Sequence, residues 1–258
     1  MKRLVLLLVQ KIGFGLNKYM VSNSSSPKKI REYLFVNFYF IYKRIFEQEI
    51  IRFLNVNLHR FDVILDVGGG LGYYSKMIIE NANRDATIHI FEPDQLNYRR
   101  IERITKNLGK PPNFFLNRIA LSDKTASLNF LIDQKNPANH RVTNDKNGIQ
   151  IPSTTVDAYM KNYTYHKCLI KIDVQGHELQ VLIGAESFLE RDIWILIEFD
   201  IENFEDECRA IWSLLISKGN TCYSISKKGK LEVQSDFPSQ VTSYKDFVFY
   251  KPFITQLD

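Results

Sequence analysis

Four glycines fall within five residues directly after a short apolar run, and this clustering is the strongest chemical signal in the chain. The run is Val63–Val67, and the glycines that follow it are Gly68, Gly69, Gly70 and Gly72. Because glycine has no Cβ, it adopts positive φ easily and lets the backbone approach a ligand closely. The pattern therefore predicts a ligand-binding turn between a strand and a helix.

The spacing of these glycines separates two classes of ligand. A dinucleotide site needs G-x-G-x-x-G, and counted from Gly68 the third glycine would fall at Tyr73. From Asp66 the pattern is D-x-G-x-G-x-G, which is the arrangement found where a chain surrounds the methionine part of S-adenosylmethionine. Asp66 is expected either to position this loop or to hold the amino end of that ligand. Glu92, at the end of the next predicted strand, can accept hydrogen bonds from both ribose hydroxyls.

A second group of polar residues lies at the end of the apolar run Cys168–Val174. Asp173 is near the end of the run, and His177 and Glu178 come shortly after it. A side chain of this kind can act as a general base that takes a proton from an acceptor hydroxyl, and Asp173 is the best placed. Each also has a structural alternative. Asp173 can be a loop-fixing carboxylate, His177 a surface residue of a helix, and Glu178 a favourable charge at a helix N-terminus. A metal held by Asp173 and His177 with Glu178 or Glu198 is a further alternative, but no tight ligand spacing requires one, and none is predicted.

The elements that must position these residues alternate between strands and helices from residue 61 onward. Predicted strands are Val63–Val67, Ala86–Phe91, Phe114–Leu121, Ala126–Ile132, Cys168–Val174, Ile193–Ile197, Thr221–Ile225, Lys230–Val233 and Phe247–Tyr250. Predicted helices are one or two over Ile30–Leu58, then Tyr73–Asn81, a helix capped by Asp94 that ends at Leu108, His177–Leu189 and Phe204–Ser217. Such alternation favours an α/β fold with right-handed crossovers and a mostly parallel sheet, whose ligands lie beyond the carboxyl ends of the strands.

Several short segments, in this order, resemble the FkbM-type methyltransferases. They are Val63–Gly72, Phe91-Glu92-Pro93, Ala120-Leu121-Ser122, Thr155-Val156-Asp157, Ile170–Glu178 and Val181–Ala185. The resemblance covers roughly residues 61–200 and is most specific over Ile170–Ala185. Two positions depart from the usual pattern, since Gly70 stands where Asn is more typical and Gln175 stands where Glu is.

This resemblance implies a Rossmann-like class I methyltransferase with a mostly parallel seven-stranded sheet, helices on both faces, and S-adenosyl-L-methionine as the cofactor. It also implies O-methylation of a hydroxyl on a sugar, glycan or polyketide-like natural product. The expected cofactor-binding residues are Asp66, Gly68, Gly69, Gly70, Gly72, Tyr73, Glu92, Ala120, Ser122 and Asp173. The expected catalytic residues are Asp173, His177 and Glu178.

The chain has 258 residues and a formal net charge of +5, and this charge is divided unevenly. Residues 1–60 carry 11 basic and 3 acidic side chains, a net charge of +8, so residues 61–258 carry −3. We therefore predict a basic helical extension, 1–60, and a methyltransferase domain, 61–258. The apolar run Leu4–Val9 is too short to span a membrane. It predicts a short amphipathic helix that packs on the body or, with the basic residues beside it, makes a weak contact with an inner membrane surface.

Three widely spaced cysteines indicate neither a disulfide framework nor a zinc ribbon, which favours a cytoplasmic setting. The acceptor is expected to be a small molecule or glycan, bound in a pocket shaped by the polar segment 133–150 and by aromatic residues of the extension, namely Tyr33, Phe38, Tyr39 and Tyr42. An RNA- or protein-directed methyltransferase and a non-catalytic binding module are the alternatives. Nucleic acid is not expected, because Asp173-Val174-Gln175-Gly176 replaces the Asn/Asp-Pro-Pro-Tyr/Phe of enzymes that methylate ring amino groups. An oligomer is possible on this sequence.

Overall fold

The computed structural model describes residues 28–133, 139–143, 148–241 and 244–251. Its α-helices are α1 (Lys28–Phe46), α2 (Gln48–Asn57), α3 (Tyr73–Asn81), α4 (Gln95–Asn107), α5 (Val156–Met160), α6 (Glu178–Ile183) and α7 (Ile201–Ser217). The helix and the membrane contact predicted for residues 1–27 lie outside the described residues. Among the described helices, none has both the length and the hydrophobicity needed to cross a bilayer.

Eight strands form the main sheet, and they are β1 (Val63–Val67), β2 (Thr87–Phe91), β3 (Phe114–Asn117), β8 (Cys168–Ile172), β9 (Ile193–Asp200), β10 (Thr221–Ile225), β11 (Leu231–Val233) and β12 (Tyr244–Tyr250). Their order across the sheet is β11-β10-β12-β9-β8-β1-β2-β3. The neighbouring strands β3, β2, β1, β8 and β9 pair in parallel. The pairs β9–β12, β12–β10 and β10–β11 are antiparallel. Strand order reverses between β1 and β8, which is where such sheets bind ligands.

The sheet confirms the predicted α/β class but corrects the strand count and the extent of parallel pairing. Eight strands replace the predicted seven, because the short β11 pairs with β10 at the antiparallel edge. The predicted strand Phe114–Leu121 is also two strands. β3 ends at Asn117, and β4 (Ala120–Leu121) leaves the main sheet to pair with β7 (Ile149–Thr154).

A second, four-stranded sheet stands beside the main one in the order β4-β7-β5-β6, where β5 is Ala126–Leu131 and β6 is Arg141–Val142. The segment 133–150, predicted to be a loop, therefore contains β6 and the start of β7. The polar composition misled the prediction because β6 is short and β7 begins with two exposed residues.

Helices cover both faces of the main sheet, as predicted. On one face, Phe53 and Leu54 of α2 share an apolar core with Ile64 of β1 and with residues of α3 and α4. On the other face, α5, α6 and α7 pack in a second core with Leu65 of β1 and Ile170 of β8. The described part of the extension thus packs against the same sheet that carries the glycine turn.

The helix predicted over His177–Leu189 ends early, at Ile183, because the chain must pass close to another strand. A Cβ built on Gly184 would lie 2.0 Å from the carbonyl oxygen of Ser122. After this crossing, the backbone N–H groups of Ser187 and Phe188 donate to the carboxylate of Asp157, each at 2.8 Å. Asp157 therefore fixes the turn that replaces the rest of the helix.

Candidate active site

A cleft of about 860 Å³ opens at the carboxyl ends of β1, β2 and β8. It is lined by the glycine turn, by the ends of these strands, by α1 and by the second sheet. The lining residues that carry polar side chains are Tyr39, Lys43, Tyr73, Tyr74, Glu92, Asn97, His140, Asp173, Gln175 and His177. The sequence-predicted residues Gly68, Gly69, Gly70 and Ala120 also line it.

The glycine turn is pressed against the end of β8. Gly68 has φ +88°, and a Cβ at this position would lie 2.0 Å from the carbonyl oxygen of Asp173. Gly70 also has positive φ, +52°, but the nearest atom to its Cβ position is 3.9 Å away. Gly68 is therefore required by packing, whereas Gly70 leaves space on the cleft side. The left-handed conformation at Gly70 also explains why Asn is compatible with this position in relatives, since Asn tolerates it better than most residues.

Asp66 lies beneath the turn and does not line the cleft. Its side chain is fully buried, and it accepts a hydrogen bond of 2.6 Å from Ser75 Oγ. The Nζ atom of Lys171 lies 3.9 Å from the other carboxylate oxygen. Burial raises the pKa of Asp66 despite these two partners. The geometry places Asp66 as a support for the turn, one of the two roles that the sequence left open.

Glu92 directly follows β2 and lines the cleft from a buried position. Its Oε2 accepts from the backbone N–H of Gly70 at 2.6 Å, and its Oε1 accepts from the N–H of Asp94 at 2.8 Å. Burial raises the pKa of Glu92 to about 8, against the opposing effect of these two hydrogen bonds. The carboxylate keeps further lone pairs that can accept from a ligand.

Asp173 lines the cleft between an ammonium and an amide. Lys171 Nζ donates to its Oδ2 at 3.2 Å, and Gln175 Nε2 donates to its Oδ1 at 2.9 Å. Burial opposes ionisation, but the charges of Lys171 and Lys43 outweigh it and hold the pKa of Asp173 below its ordinary value. A carboxylate so stabilised carries a permanent negative charge and is a weak proton acceptor.

Gln175 stands where Glu is more typical, and its hydrogen bonds show why an amide suits this position. Its Nε2 donates to Asp173 and also to Glu198 Oε2, at 3.4 Å. Burial and the charge of Asp173 already raise the pKa of Glu198 well above its ordinary value. A third carboxylate here would repel both neighbours, whereas an amide bridges them. Gln175 is the one described non-glycine residue with positive φ, +58°, and such strain is often kept at functional sites.

Glu178 lies outside the cleft, although the sequence placed it among the catalytic candidates. Its carboxylate accepts from the backbone N–H groups of Val174 and Gly176, at 2.9 and 3.0 Å. Burial raises its pKa to about 7. These contacts give Glu178 a loop-fixing role. The sequence offered that role as the alternative for Asp173, and for Glu178 it offered a favourable charge at a helix N-terminus.

His177 lines the cleft together with the glycine turn. Its Nε2 lies 2.9 Å from the hydroxyl of Ser122, which in turn donates to Asp123 Oδ1 at 2.8 Å. Burial lowers the pKa of His177. Ser122 is fully buried and does not line the cleft, so its side chain meets His177 and not the cavity.

Three polar lining residues come from segments outside the glycine and β8 motifs, and sequence reasoning missed all three as site residues: Lys43, Asn97 and His140. Lys43 of α1 is 7% exposed and forms a 2.5 Å ion pair with Glu47. His140 precedes β6, and its Nδ1 lies 3.8 Å from Asp94 Oδ2. A signal for Lys43 existed, because it follows the cleft residue Tyr39 by four positions and so lies on the same helix face.

The structure thus brings together most, but not all, of the predicted residues. Those that line the cleft are Gly68, Gly69, Gly70, Tyr73, Glu92, Ala120, Asp173 and His177. Those that do not are Asp66, Gly72, Ser122 and Glu178. Gly72 faces α4, where a Cβ would lie 2.8 Å from Ile104 Cδ1. Within the described ranges, no group of three or more His, Cys, Asp or Glu side chains has the geometry to hold a metal ion.

A solved structure shares this architecture at low sequence identity, and another is similar at a lower score. Methyltransferase FkbM from Methylobacillus flagellatus KT matches with a TM-score of 0.50 and 12% identity, over 93% of this chain and 59% of that chain. An O-methyltransferase from Bacillus cereus, solved in complex with SAH, matches with a TM-score of 0.47 and 8% identity, over 93% of this chain and 89% of that one. At 12% identity the likeness to the Methylobacillus flagellatus structure concerns the fold alone, which is Rossmann-like.

Similarity in sequence is more specific. The chain is 27% identical over 158 residues to the hexuronic acid methyltransferase AglP of Haloferax volcanii, a match that covers 59% of this chain and 62% of that relative. It therefore spans less than two thirds of the relative's length. The profile of the methyltransferase FkbM domain matches residues 66–222, which include the glycine turn, Glu92, Asp173 and His177. Because this match covers more than half of the chain, the protein belongs to the FkbM methyltransferase family.

Proposed function

We propose that this protein transfers a methyl group from S-adenosylmethionine to a hydroxyl of a sugar, with a sugar acid as the first acceptor class to test. The observation that carries the proposal is the meeting of Gly68–Gly70, Glu92 and Asp173 at one cleft in a chain of the FkbM family. The match to a hexuronic acid methyltransferase supports the acceptor class. A histidine that lines the same cleft, and whose pKa burial lowers, supports proton removal from a hydroxyl.

The residues present fit S-adenosylmethionine. Gly70 leaves a backbone cradle that a side chain would fill, and Glu92 offers a buried carboxylate for the ribose diol. The charge of Asp173 suits the amino and sulfonium groups, while Tyr73 and the backbone of Ala120 complete the wall. When bound, the cofactor supplies a methyl group on a positively charged sulfur. The protein's contribution is to hold donor and acceptor in line and to accept the acceptor's proton.

The acceptor side of the cleft is left to α1 and the second sheet. Tyr39 and Lys43 of α1 and His140 before β6 line it together with His177. Their donors suit hydroxyl and carboxylate oxygens, which is the chemistry of a sugar acid. Of the other aromatic residues predicted to shape this pocket, Phe38 and Tyr42 do not line the cleft, and the side chain of Tyr33 lies outside the described part.

The proposal is tested by calorimetry and by methyl transfer. The protein should bind S-adenosylmethionine and S-adenosylhomocysteine at micromolar concentration, and it should convert radiolabelled cofactor in the presence of glucuronate- or galacturonate-containing glycans. Methyl transfer to RNA or to protein and not to these glycans would replace the acceptor class. Absence of binding to both cofactor forms would contradict the proposal as a whole.

Cofactor affinity should depend on pH through Glu92. Because burial raises its pKa to about 8, the ionised acceptor form is scarce at pH 7, and S-adenosylhomocysteine should bind ~8-fold more tightly at pH 8.5 than at pH 7. The same shift works against folding, since a raised carboxyl pKa means that stability falls as pH rises from the ordinary value of 4.5 towards 8. Calorimetry at both pH values measures the first effect.

Glu92→Gln is the matched variant for this prediction. It keeps the size of the side chain but should weaken binding at pH 8.5 by about 10- to 100-fold, because hydrogen bonds to a charged acceptor are lost. The ratio of wild-type to variant affinity cancels the ligand's own ionisation. An equal pH response in the two proteins would show that Glu92 is not the titrating group.

A further inference from the structure

The hydroxyl of Ser122 links an exposed carboxylate to the histidine of the cleft. Ser122 is fully buried, and its backbone is fixed by the hydrogen bond of 2.9 Å from its N–H to the Thr154 carbonyl and by the close passage of Gly184. Its Oγ lies 2.8 Å from Asp123 Oδ1 and 2.9 Å from His177 Nε2. The Ser122 hydroxyl therefore has two hydrogen-bond partners but can donate its proton to one of them.

The direction of these hydrogen bonds follows from the chemistry of the partners. A carboxylate accepts and does not donate, so the Ser122 proton must point towards Asp123. The Ser122 oxygen is then the acceptor for His177, and the imidazole must carry its proton on Nε2. A neutral imidazole has one protonated nitrogen, so Nδ1 has a free lone pair. Nδ1 has no hydrogen-bond partner among the described residues, and the ring lines the cleft.

We propose that Asp123 and Ser122 hold His177 in the Nε2–H tautomer, so that Nδ1 is the group that takes the proton from the acceptor hydroxyl. In this step the acceptor oxygen forms its bond to the methyl carbon as the carbon–sulfur bond breaks, and the sulfur keeps the electron pair. The hydroxyl proton passes to Nδ1 and then to solvent. The products are a methyl ether and S-adenosylhomocysteine. Asp123 and Ser122 are positioning residues in this scheme.

The other candidate bases are less suited to this step. Both carboxylate oxygens of Asp173 already accept hydrogen bonds, from Lys171 and Gln175. Glu178 accepts from two backbone N–H groups and lies outside the cleft. This inference rests on the proposed methyl transfer, but the tautomer can be measured without any substrate.

The test is a long-range ¹H–¹⁵N NMR spectrum of the labelled protein, which distinguishes Nδ1–H from Nε2–H. The chain has five histidines, and loss of one signal in His177→Gln assigns the relevant ring. We expect Nε2–H in the wild type. In Asp123→Ala the Ser122 proton is free to turn towards Nε2, so the ring should shift to Nδ1–H. Asp123 is exposed, and this variant is therefore expected to fold.

Kinetics complete the test. His177→Gln should lower kcat by about 100-fold or more, which is the usual contribution of a general base. Asp123→Ala should lower kcat by about 10-fold with little change in cofactor affinity, and Asp123→Asn, whose amide oxygen still accepts, should restore both the Nε2–H tautomer and part of kcat.

Three results would overturn the inference. These are an Nδ1–H tautomer in the wild type, an unchanged tautomer in Asp123→Ala, and wild-type kcat in His177→Gln. If no glycan is methylated while the tautomer responds to Asp123 as expected, the proposed function fails, and the base role with it. The control of the tautomer by Asp123 and Ser122 would still stand.

Discussion

Asp173→Asn is expected to weaken the binding of S-adenosylhomocysteine by about 100-fold, or roughly 3 kcal/mol. Asparagine preserves the shape of the side chain but removes a charge that the cleft presents to the cofactor's amino group. It also leaves Lys171, whose side chain is 3% exposed, with one ion-pair partner among the described residues, Asp66, at 3.9 Å. Breaking a buried pair in this way should lower the free energy of unfolding by about 3–5 kcal/mol. Calorimetry and urea denaturation measure the two effects.

A second substitution separates the two effects. In the double variant Lys171→Met/Asp173→Asn the unpaired ammonium is gone, and buried Asp66 can take up a proton because the charge that opposed its raised pKa is also gone. Much of the stability should therefore return while cofactor binding stays weak. Asp246→Asn is the control, because Asp246 is a carboxyl with a pKa raised to about 7 that does not line the cleft. Recovery of binding in the double variant would show that Asp173 acts only through Lys171.

Gly68→Ala should lower the free energy of unfolding by about 3–4 kcal/mol and abolish cofactor binding. The added Cβ would lie 2.0 Å from the carbonyl oxygen of Asp173, at a residue whose φ is +88°. The turn and the end of β8 cannot both keep their positions, and both line the cleft. Urea denaturation and calorimetry with S-adenosylhomocysteine check the prediction.

Gly109→Ala is the matched control for backbone strain alone. Gly109 also has positive φ, +73°, but nothing lies within 4 Å of its Cβ position. Gly109→Ala should lower the free energy of unfolding by about 1–2 kcal/mol through backbone strain alone. Cofactor binding should be unchanged. Equal destabilisation in the two variants would mean that the contact between the glycine turn and Asp173 does not constrain the site.

Local patterns were sufficient for the elements next to the glycine turn. The helix Tyr73–Asn81 and the strand Val63–Val67 have the predicted bounds. Asp94 accepts from the N–H groups of Leu96 and Asn97 as the predicted N-cap. These features depend on neighbours within a few residues, so the local pattern contains the physical information that decides them.

Local patterns failed to predict the bounds of elements that depend on long-range contacts. The break of Phe114–Leu121 into β3 and β4 depends on the pairing of β4 with β7, which lies some 30 residues away. The early end of α6 depends on the approach of Gly184 to Ser122, and the sequence next to Gly184 contains no sign of that distant partner.

For the site, residue types and order sufficed to identify Gly68, Glu92, Asp173 and His177 as a group, because carboxyl ends of parallel strands meet at one edge of the sheet. Only the tertiary structure separated roles among similar side chains. Asp173 faces the cleft with its charge stabilised by Lys171, whereas Glu178 turns away to two backbone N–H groups. The tertiary structure also brings Lys43 of α1 to the cleft and places Ser122 against His177. Burial and hydrogen-bond partners set these roles, and both arise from contacts between residues far apart in the chain.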